Sequence, residues 1–512
     1  MSIPNYTFEE FLELSKDKRV IPIFREVFSG TLSPVSVFEK LAISNSGSFL
    51  LESAEAGVWA RYSFVGVKMR GRLVLETGSS VTWIPGTHES ALPNDLGHKL
   101  PATPLEAIDL IQQSWHTKLD GIELPITSGL VGSISWEMVS ELEKLDLTND
   151  DISRCPVMHL ALVKNMVVLD HLEGKLFFVA NCFIEGQHSD ELRDIYDAAK
   201  LEIEEMIAAL LVPTSDFMAD IPSVDDKIRP NGIPQEQFME IVKVAKDHVV
   251  RGDVFQVVLS QRFTAPLKAD PIDVYRALRA LNPSPYMFFL NGSDSNGSFV
   301  VVGSSPESLV TVSGSKVVTH PIAGSRPRGG SPEEDLGNEA SLLSDAKEIS
   351  EHLMLVDLAR NDLLKVCNPE SVTVTEFKQV HRFSHIMHLV STVQGKLRTG
   401  LSTVDVFRAT FPAGTLSGAP KPKALSVINE LEPSGRGLYG GVCGYFDFAG
   451  NADLAIAIRT AFIRSGVASV QAGAGIVLDS DPRSEYLETK HKANAVLRAI
   501  QIANSITRIG KS

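Results

Sequence analysis

Cysteine is scarce in this chain. Only Cys155, Cys182, Cys367 and Cys443 occur in 512 residues. No two of them have the spacing of a zinc site or a disulfide framework, which excludes a stapled secreted scaffold and points to a reducing compartment. No uninterrupted apolar run approaches the ~20 residues of a membrane span. No basic run exists either: 48 Lys and Arg stand against 63 Asp and Glu, a formal charge of −15. The counterion-releasing contacts of a nucleic-acid protein are therefore missing. The opening residues MSIPNYTFEEFLELSKDKRV carry acidic side chains and lack the basic-then-apolar order of a secretory leader, so the expected location is cytoplasmic. Neither G-x-x-x-x-G-K-[ST] nor G-x-G-x-x-G occurs, which removes the common nucleotide fingerprints. An anionic small molecule remains allowed, because local Arg and Lys decide such binding.

What is present reads as a large globular enzyme. Hydrophobic residues make up 44% and charged ones 22%, and the length suggests two to four domains or one double-layered unit. Residues 1–211 carry β-like segments (SGSFLLESA, RYSFVGVKM, GRLVLET, ALVKNMVVLD, GKLFFVANCFI) and close on an amphipathic helix, DELRDIYDAAKLEIEEMIAALL. Strand-rich sequence with few helices predicts antiparallel sheet. Residues 212–234, rich in Pro, Asp and Ser and without periodicity, read as a linker. Residues 235–512 form a second domain that opens with a helix (QEQFMEIVKVAKDHVVRG) and a strand (VFQVVLSQRFTA) and then alternates.

Two glutamate pairs stand out in the second domain. Glu348 with Glu351, and Glu485 with Glu488, lie three residues apart in helix-favouring sequence, so each pair aims two carboxylates at one side. Two such helices could surround one hard cation, and oxygen-only ligation suits Mg²⁺. On an exposed helix the same spacing is only solvated surface. Ile349, Leu353, Val356, Leu358 and Leu363 make the first helix apolar, which predicts that it is largely buried. The second helix follows a small-residue strand, where Gly473, Ala474 and Gly475 leave backbone bare to a ligand. Glu488 and His491 form Glu-x-x-His, as in di-iron bundles, but His352 directly follows Glu351 and cannot share its face.

Longer strings in residues 233–500 carry a resemblance: GDVFQVVLSQRF (252–263), NPSPYMFFL (282–290), GSSPESLV (303–310), HPIAGSRPRG (320–329), KEISEHLMLVDLARND (347–362), MHLVS (387–391), FPAGTLSGAPK (411–421), YGGVCGY (439–445), AIRT (457–460) and QAGAGIVLDSDPRSEYLET (471–489). The chain resembles the chorismate-utilising enzymes, most closely their anthranilate synthase large-component branch, with a looser match at SFLLESA (48–54) and RYSFVG (61–66). The resemblance implies a two-domain α+β unit with large antiparallel β-sheets and packed helices, acting on chorismate and ammonia in tryptophan biosynthesis. It implies Mg²⁺ held by Glu351 and Glu488 with Glu348 and Glu485 nearby. Arg459, Lys492 and the backbone of Gly473, Ala474 and Gly475 would receive a substrate carboxylate, with Gly324, Ser325, Thr415 and Tyr439 as further contacts; Ser325 stands where the family usually has Thr.

On residue type alone Glu307 is a turn glutamate and His388, between Met387 and Leu389, a core histidine. The resemblance gives Glu307 the task of protonating the departing hydroxyl and His388 that of the second step, which expels pyruvate. Two positions choose the branch. Water-using relatives are expected to carry a base lysine where Gln256 stands, and many para-aminating relatives a nucleophilic lysine where Ala323 stands. Without either, ammonia must come from outside, and no cysteine has the setting of an amidotransferase nucleophile, so a glutamine amidotransferase subunit is the implied partner in a hetero-oligomer. Aminodeoxychorismate synthase component I, which aminates at the para position for the folate pathway, is the alternative within the family. Leu50 to Ser53 with Pro285, Tyr286 and Met287 match the tryptophan feedback site of the resembled enzymes.

Overall fold

The computed structural model describes residues 4–53, 61–86, 100–145, 147–213, 218–221, 231–382 and 386–509. Ala54 and most of the stretch read as a linker lie outside them. The strands pair antiparallel throughout the described residues, as strand-rich sequence predicts. Two long strands, Tyr62–Leu75 and Met158–Asp170, run side by side through two sheets. Asn165–Asp170 pairs with Lys175–Phe183, whereas Met158–Leu162 pairs with Gly129–Ile134. Between Gly66 and Gly71 the register slips three times, and each bulge bends and twists the pair so that it leaves one sheet and enters the other. The ring of Phe49 covers Gly66 and that of Trp83 covers Gly71, where any Cβ would overlap the ring. RYSFVGVKM and GRLVLET, which read as separate segments, are thus one bulged strand.

The first sheet continues from Phe49–Glu52 through Tyr286–Asp294, Gly297–Ser305, Thr460–Arg464 and Val467–Ile476 to Gln256–Pro266. The second continues from Gly129–Ile134 through Val442–Asp447, Ala452–Ile456, Ser308–Ser313 and Lys316–Thr319 to Ile386–Lys396, which Ile322–Pro327 and Thr373–Arg382 flank. Strands from the two halves of the chain therefore hydrogen-bond within both sheets.

Alternation along these strands puts one side-chain set between the sheets. Phe49, Phe64, Phe177, Phe288, Phe299 and Phe462 from the first sheet meet Val131, Ala161, Val163 and Cys443 from the second, and each buried Phe contributes about 1.5–3 kcal/mol. Helices cover the outer faces. Ser189–Leu211 buries Leu192, Tyr196, Ala199, Ile203, Met206 and Leu210, one stripe at three- and four-residue spacing, against the first sheet. The Ala346–Leu364 helix departs from expectation: only His352, Val356, Asp362 and Leu363 are buried, and Leu353 is 43% exposed. It grips the fold by one narrow face, with Leu358 over Gly414, which leaves its glutamates at a cleft mouth.

Candidate active site

Glu307 and Arg459 sit where the chain crosses between sheets. Glu307 joins Gly297–Ser305 of the first sheet to Ser308–Ser313 of the second, and Arg459 joins Ala452–Ile456 of the second to Thr460–Arg464 of the first. The crossovers are stitched together: Ile456 N donates to Glu307 O at 2.9 Å and Ser304 N to Arg459 O at 3.2 Å. Arg459 adopts φ +49°, a left-handed conformation costing a non-glycine residue roughly 1–2 kcal/mol, of the kind that gathers at functional sites. Its guanidinium has no hydrogen-bond or ion-pair partner among the described residues, and burial lowers its pKa while Glu307 raises it. Thr415 Oγ1 donates to Glu307 Oε1 at 3.0 Å. Burial pushes the Glu307 carboxyl up to about 7, against the Thr415 hydrogen bond and the charges of Lys492 and Arg459. A cavity of about 50 Å³ lies beside it, lined by Leu358, Asp362, Thr415 and Ile456 among others.

His388 lies on Ile386–Lys396, and its Nδ1 is 3.0 Å from Gly324 O. Donation from Nδ1–H to that carbonyl leaves the ring lone pair on Nε2. Burial, with Arg459 and Lys492 adding to it, lowers the imidazole to about 4 despite that hydrogen bond, so it is neutral near pH 7. Gly324 has φ +70° and marks a register slip that sets Ser325 opposite His388. A Cβ there would lie 3.1 Å from Glu348 Oε2. Ser325 is exposed, and Ala323 lies just before the slip, opposite Leu389.

Side-chain alternation puts Ser469, Gln471, Gly473 and Gly475 on one face of Val467–Ile476, with Ala474 buried on the other. A Cβ on Gly473 would stand 2.6 Å from the Tyr439 hydroxyl, and one on Gly475 would stand 2.5 Å from the Gln256 amide nitrogen. Burial holds the Tyr439 phenol above its ordinary range. Lys492 bridges strand and helix, donating to Gly473 O at 3.0 Å and pairing with Glu488 at 2.7 Å. Charge couples the glutamates of the Ala346–Leu364 and Pro482–Ala503 helices: burial raises Glu351, and Glu348, Glu488 and Glu485 push the same way against Lys347. They are also partly balanced, Glu348 by Arg326 at 3.6 Å and Glu351 by Lys347 at 3.8 Å. Among the described residues no three His, Cys, Asp or Glu side chains converge on one point.

The Leu50–Ser53 and Pro285–Met287 segments are brought together, since Met287 pairs with Glu52. Ser53 Oγ is buried with no hydrogen-bond partner among the described residues. Burial raises the Tyr286 phenol beside Asp453, and Asp453 itself is raised to about 6 by burial. Behind Tyr439 and Thr415 lies a buried pair without a sequence signal of its own, Glu432 with Arg436 at 2.7 Å. At four-residue spacing beside a Pro-Ser-Gly turn it reads as solvated surface, and only tertiary packing distinguishes it. A separate cavity of about 810 Å³, lined by Arg154, Gln261, Arg262 and Arg464 among others, includes none of the predicted site residues.

A family model described as chorismate binding enzyme matches residues 49–498. The chain is 45% identical to anthranilate synthase component 1 of Arthrobacter globiformis, over 98% of this chain and 94% of that one. It is 41% identical to the protein of the same name from Aquifex aeolicus, over 98% of each. The crystal structure of anthranilate synthase component I from Streptococcus pneumoniae TIGR4 superimposes with a TM-score of 0.73 at 33% identity, covering 92% of this chain and 99% of that one. The menaquinone-specific isochorismate synthase of Escherichia coli, at 19% identity and a TM-score of 0.68 over 96% and 98% of the two chains, shares the fold.

Proposed function

The chain belongs to the chorismate-binding enzyme family, and we propose that it is the chorismate-converting component of an anthranilate synthase, making anthranilate and pyruvate from chorismate and ammonia. The observation that carries this reading is the meeting of Glu307 and Arg459 at the paired crossovers. One is an acid poised near neutrality and the other a guanidinium with no partner among the described residues, as an anionic substrate with a poor leaving group requires.

Arg459 and Lys492 receive the enolpyruvyl carboxylate, and Glu307 gives its proton to the ring hydroxyl, which departs as water while ammonia bonds to the ring and then sheds one proton. Neutral His388 then takes the ring proton through Nε2 as pyruvate leaves. Magnesium is the cofactor of this reading, and the chemistry of the donors, though not their convergence, supports it. Glu348, Glu351, Glu485 and Glu488 offer oxygen only, and burial already holds Glu351 and Glu485 above their ordinary range, with Glu488 adding to both, a strain a dication relieves. When bound, the ion neutralises and orients the ring carboxylate. Neither Gln256, whose amide lies over Gly475, nor Ala323 can act as base or nucleophile, which favours external ammonia.

The four cysteines are buried and their thiols raised by burial, so the described chain offers no amidotransferase nucleophile. A glutamine amidotransferase subunit supplies the ammonia in a cytoplasmic hetero-oligomer. The Ser53 hydroxyl, without a partner among the described residues and next in sequence to Glu52, which pairs with Met287, supports L-tryptophan as inhibitor, and saturating L-tryptophan is expected to lower turnover and raise the thermal midpoint. Chorismate, Mg²⁺ and ammonium salt at raised pH, with products followed by fluorescence and chromatography, test the central reading. Anthranilate is expected, and a para-aminated product would assign the chain to aminodeoxychorismate synthesis instead.

A further inference from the structure

Arg436 is 3% exposed, and its guanidinium is used on every side. Nε and Nη2 hold both oxygens of Glu432 at 2.8 and 2.7 Å. Nη1 donates to Leu416 O at 2.7 Å, and Nη2 also to Val258 O at 2.8 Å. Its Cζ lies 4.1 Å from the Trp136 ring centre and 5.5 Å from that of Tyr439. Glu432 Oε1 in turn accepts from both N and Oγ of Ser260 at 2.7 Å, and Ser260 pairs with Gly473 across the sheet. The pair thus ties together the turn bearing Thr415, the Tyr439 ring and the strand beside the site glycines. A buried ion pair is weak evidence for stability, since desolvation offsets most of its attraction, and it is best explained by what it orients.

We propose that Arg436, clamped by Glu432, is a positioning residue that fixes the Thr415 turn and the Tyr439 ring against the substrate cleft. The proposal rests on the reading of Glu307 and Thr415 given above. Leu416 O is one residue from Thr415, so releasing it lets the turn move and loosens the Thr415 hydrogen bond to Glu307. Of the groups facing Glu307, which are Thr415, Arg459, Lys492 and Tyr439, Thr415 is the one that hydrogen-bonds it, and Arg436 holds the next residue, Leu416, by its carbonyl. Lysine can meet Glu432, but it lacks the planar fork that serves a carboxylate and two carbonyls at once.

The test is a cycle of Arg436→Lys and Thr415→Ala, assayed with chorismate and Mg²⁺ at fixed free NH₃ across pH. Arg436→Lys is expected to lower kcat about a hundredfold, as a displacement of about 1 Å in a site does. It should also move the basic limb of the pH profile to higher pH, because the ionised form of Glu307 loses a hydrogen bond. Thr415→Ala is expected to move that limb equally, and the double variant no further. A basic limb unmoved in Arg436→Lys, or additive movement in the double variant, would show a packing role alone and overturn the proposal. If Arg436→Lys does not fold by thermal midpoint, Glu432→Gln takes its place with the same expectations. Failure of the wild type to make anthranilate would instead sink the functional reading, whatever the limbs do.

Discussion

Replacing Glu307 with glutamine should abolish activity while making the protein more stable at alkaline pH. The carboxyl rises from an ordinary 4.5 to about 7 because burial disfavours its charged form. At 1.36 kcal/mol per unit, that corresponds to roughly 3 kcal/mol spent in holding Glu307 ionised in the fold. Discounted for the solvent that the half-buried residue still meets, about 2 kcal/mol remains. The sign follows from linkage. A carboxyl raised in the fold favours the native state at pH below 4.5, and that contribution is lost as pH rises through about 7. Glutamine keeps the shape and never ionises. For 512 residues, an unfolding entropy of ~2.1 cal/mol/K per residue makes 2 kcal/mol worth about 2 °C. Calorimetry of Glu307→Gln against wild type should therefore show a gain of about 2 °C at pH 8.5 that shrinks to a fraction of this at pH 5, with turnover down at least ~100-fold at both. A gain independent of pH, or a loss at pH 8.5, would refute the reasoning.

Three further outcomes are expected. His388→Met should let chorismate disappear while an aminated intermediate accumulates on chromatography, and undiminished anthranilate would remove His388 from the second step. Glu351→Gln should raise the Mg²⁺ concentration giving half-maximal rate by at least about tenfold, in line with loss of one ligand or its neighbour; an unchanged Mg²⁺ titration would place the metal elsewhere. Gly473→Ala puts a methyl 2.6 Å from the Tyr439 hydroxyl and 2.8 Å from Leu259 O, so it should lower kcat/KM for chorismate about tenfold or more and lower the thermal midpoint as well. Equal kinetics would mean that the ligand does not approach that strand.

The elements were largely legible because each has a local cause. The stripe from Leu192 to Leu210 and the small-residue strand before Asp481 carry their own periods and caps. The Ala346–Leu364 helix is less buried than its sequence predicts because apolar content does not say how much of a helix is covered, and Leu353 faces out. That Tyr62–Leu75 is one strand was not readable either, since bulges at Gly66 to Gly71 interrupt alternation as a turn would. Glu307 and His388 were found through the strings around them. Nothing local says that Glu307 and Arg459 meet, because their adjacency is created by two crossovers far apart in the chain. Arg436 was invisible for the same reason: its partners Leu416, Val258 and Trp136 come from three other segments.

The interleaving of the halves bears on how such a chain can be inherited and dissected. Phe49–Glu52 finds its partner in Tyr286–Asp294, and Gly129–Ile134 finds its partner in Val442–Asp447. A break anywhere in residues 212–234 would not release two modules, but two fragments with bare, apolar strand edges that invite aggregation. Neither piece is a unit that recombination could move alone into another gene. Produced together, the fragments have complementary edges and a shared set of seven phenylalanines to close on, so the same feature that keeps the halves from standing alone makes the chain a candidate for reconstitution from them.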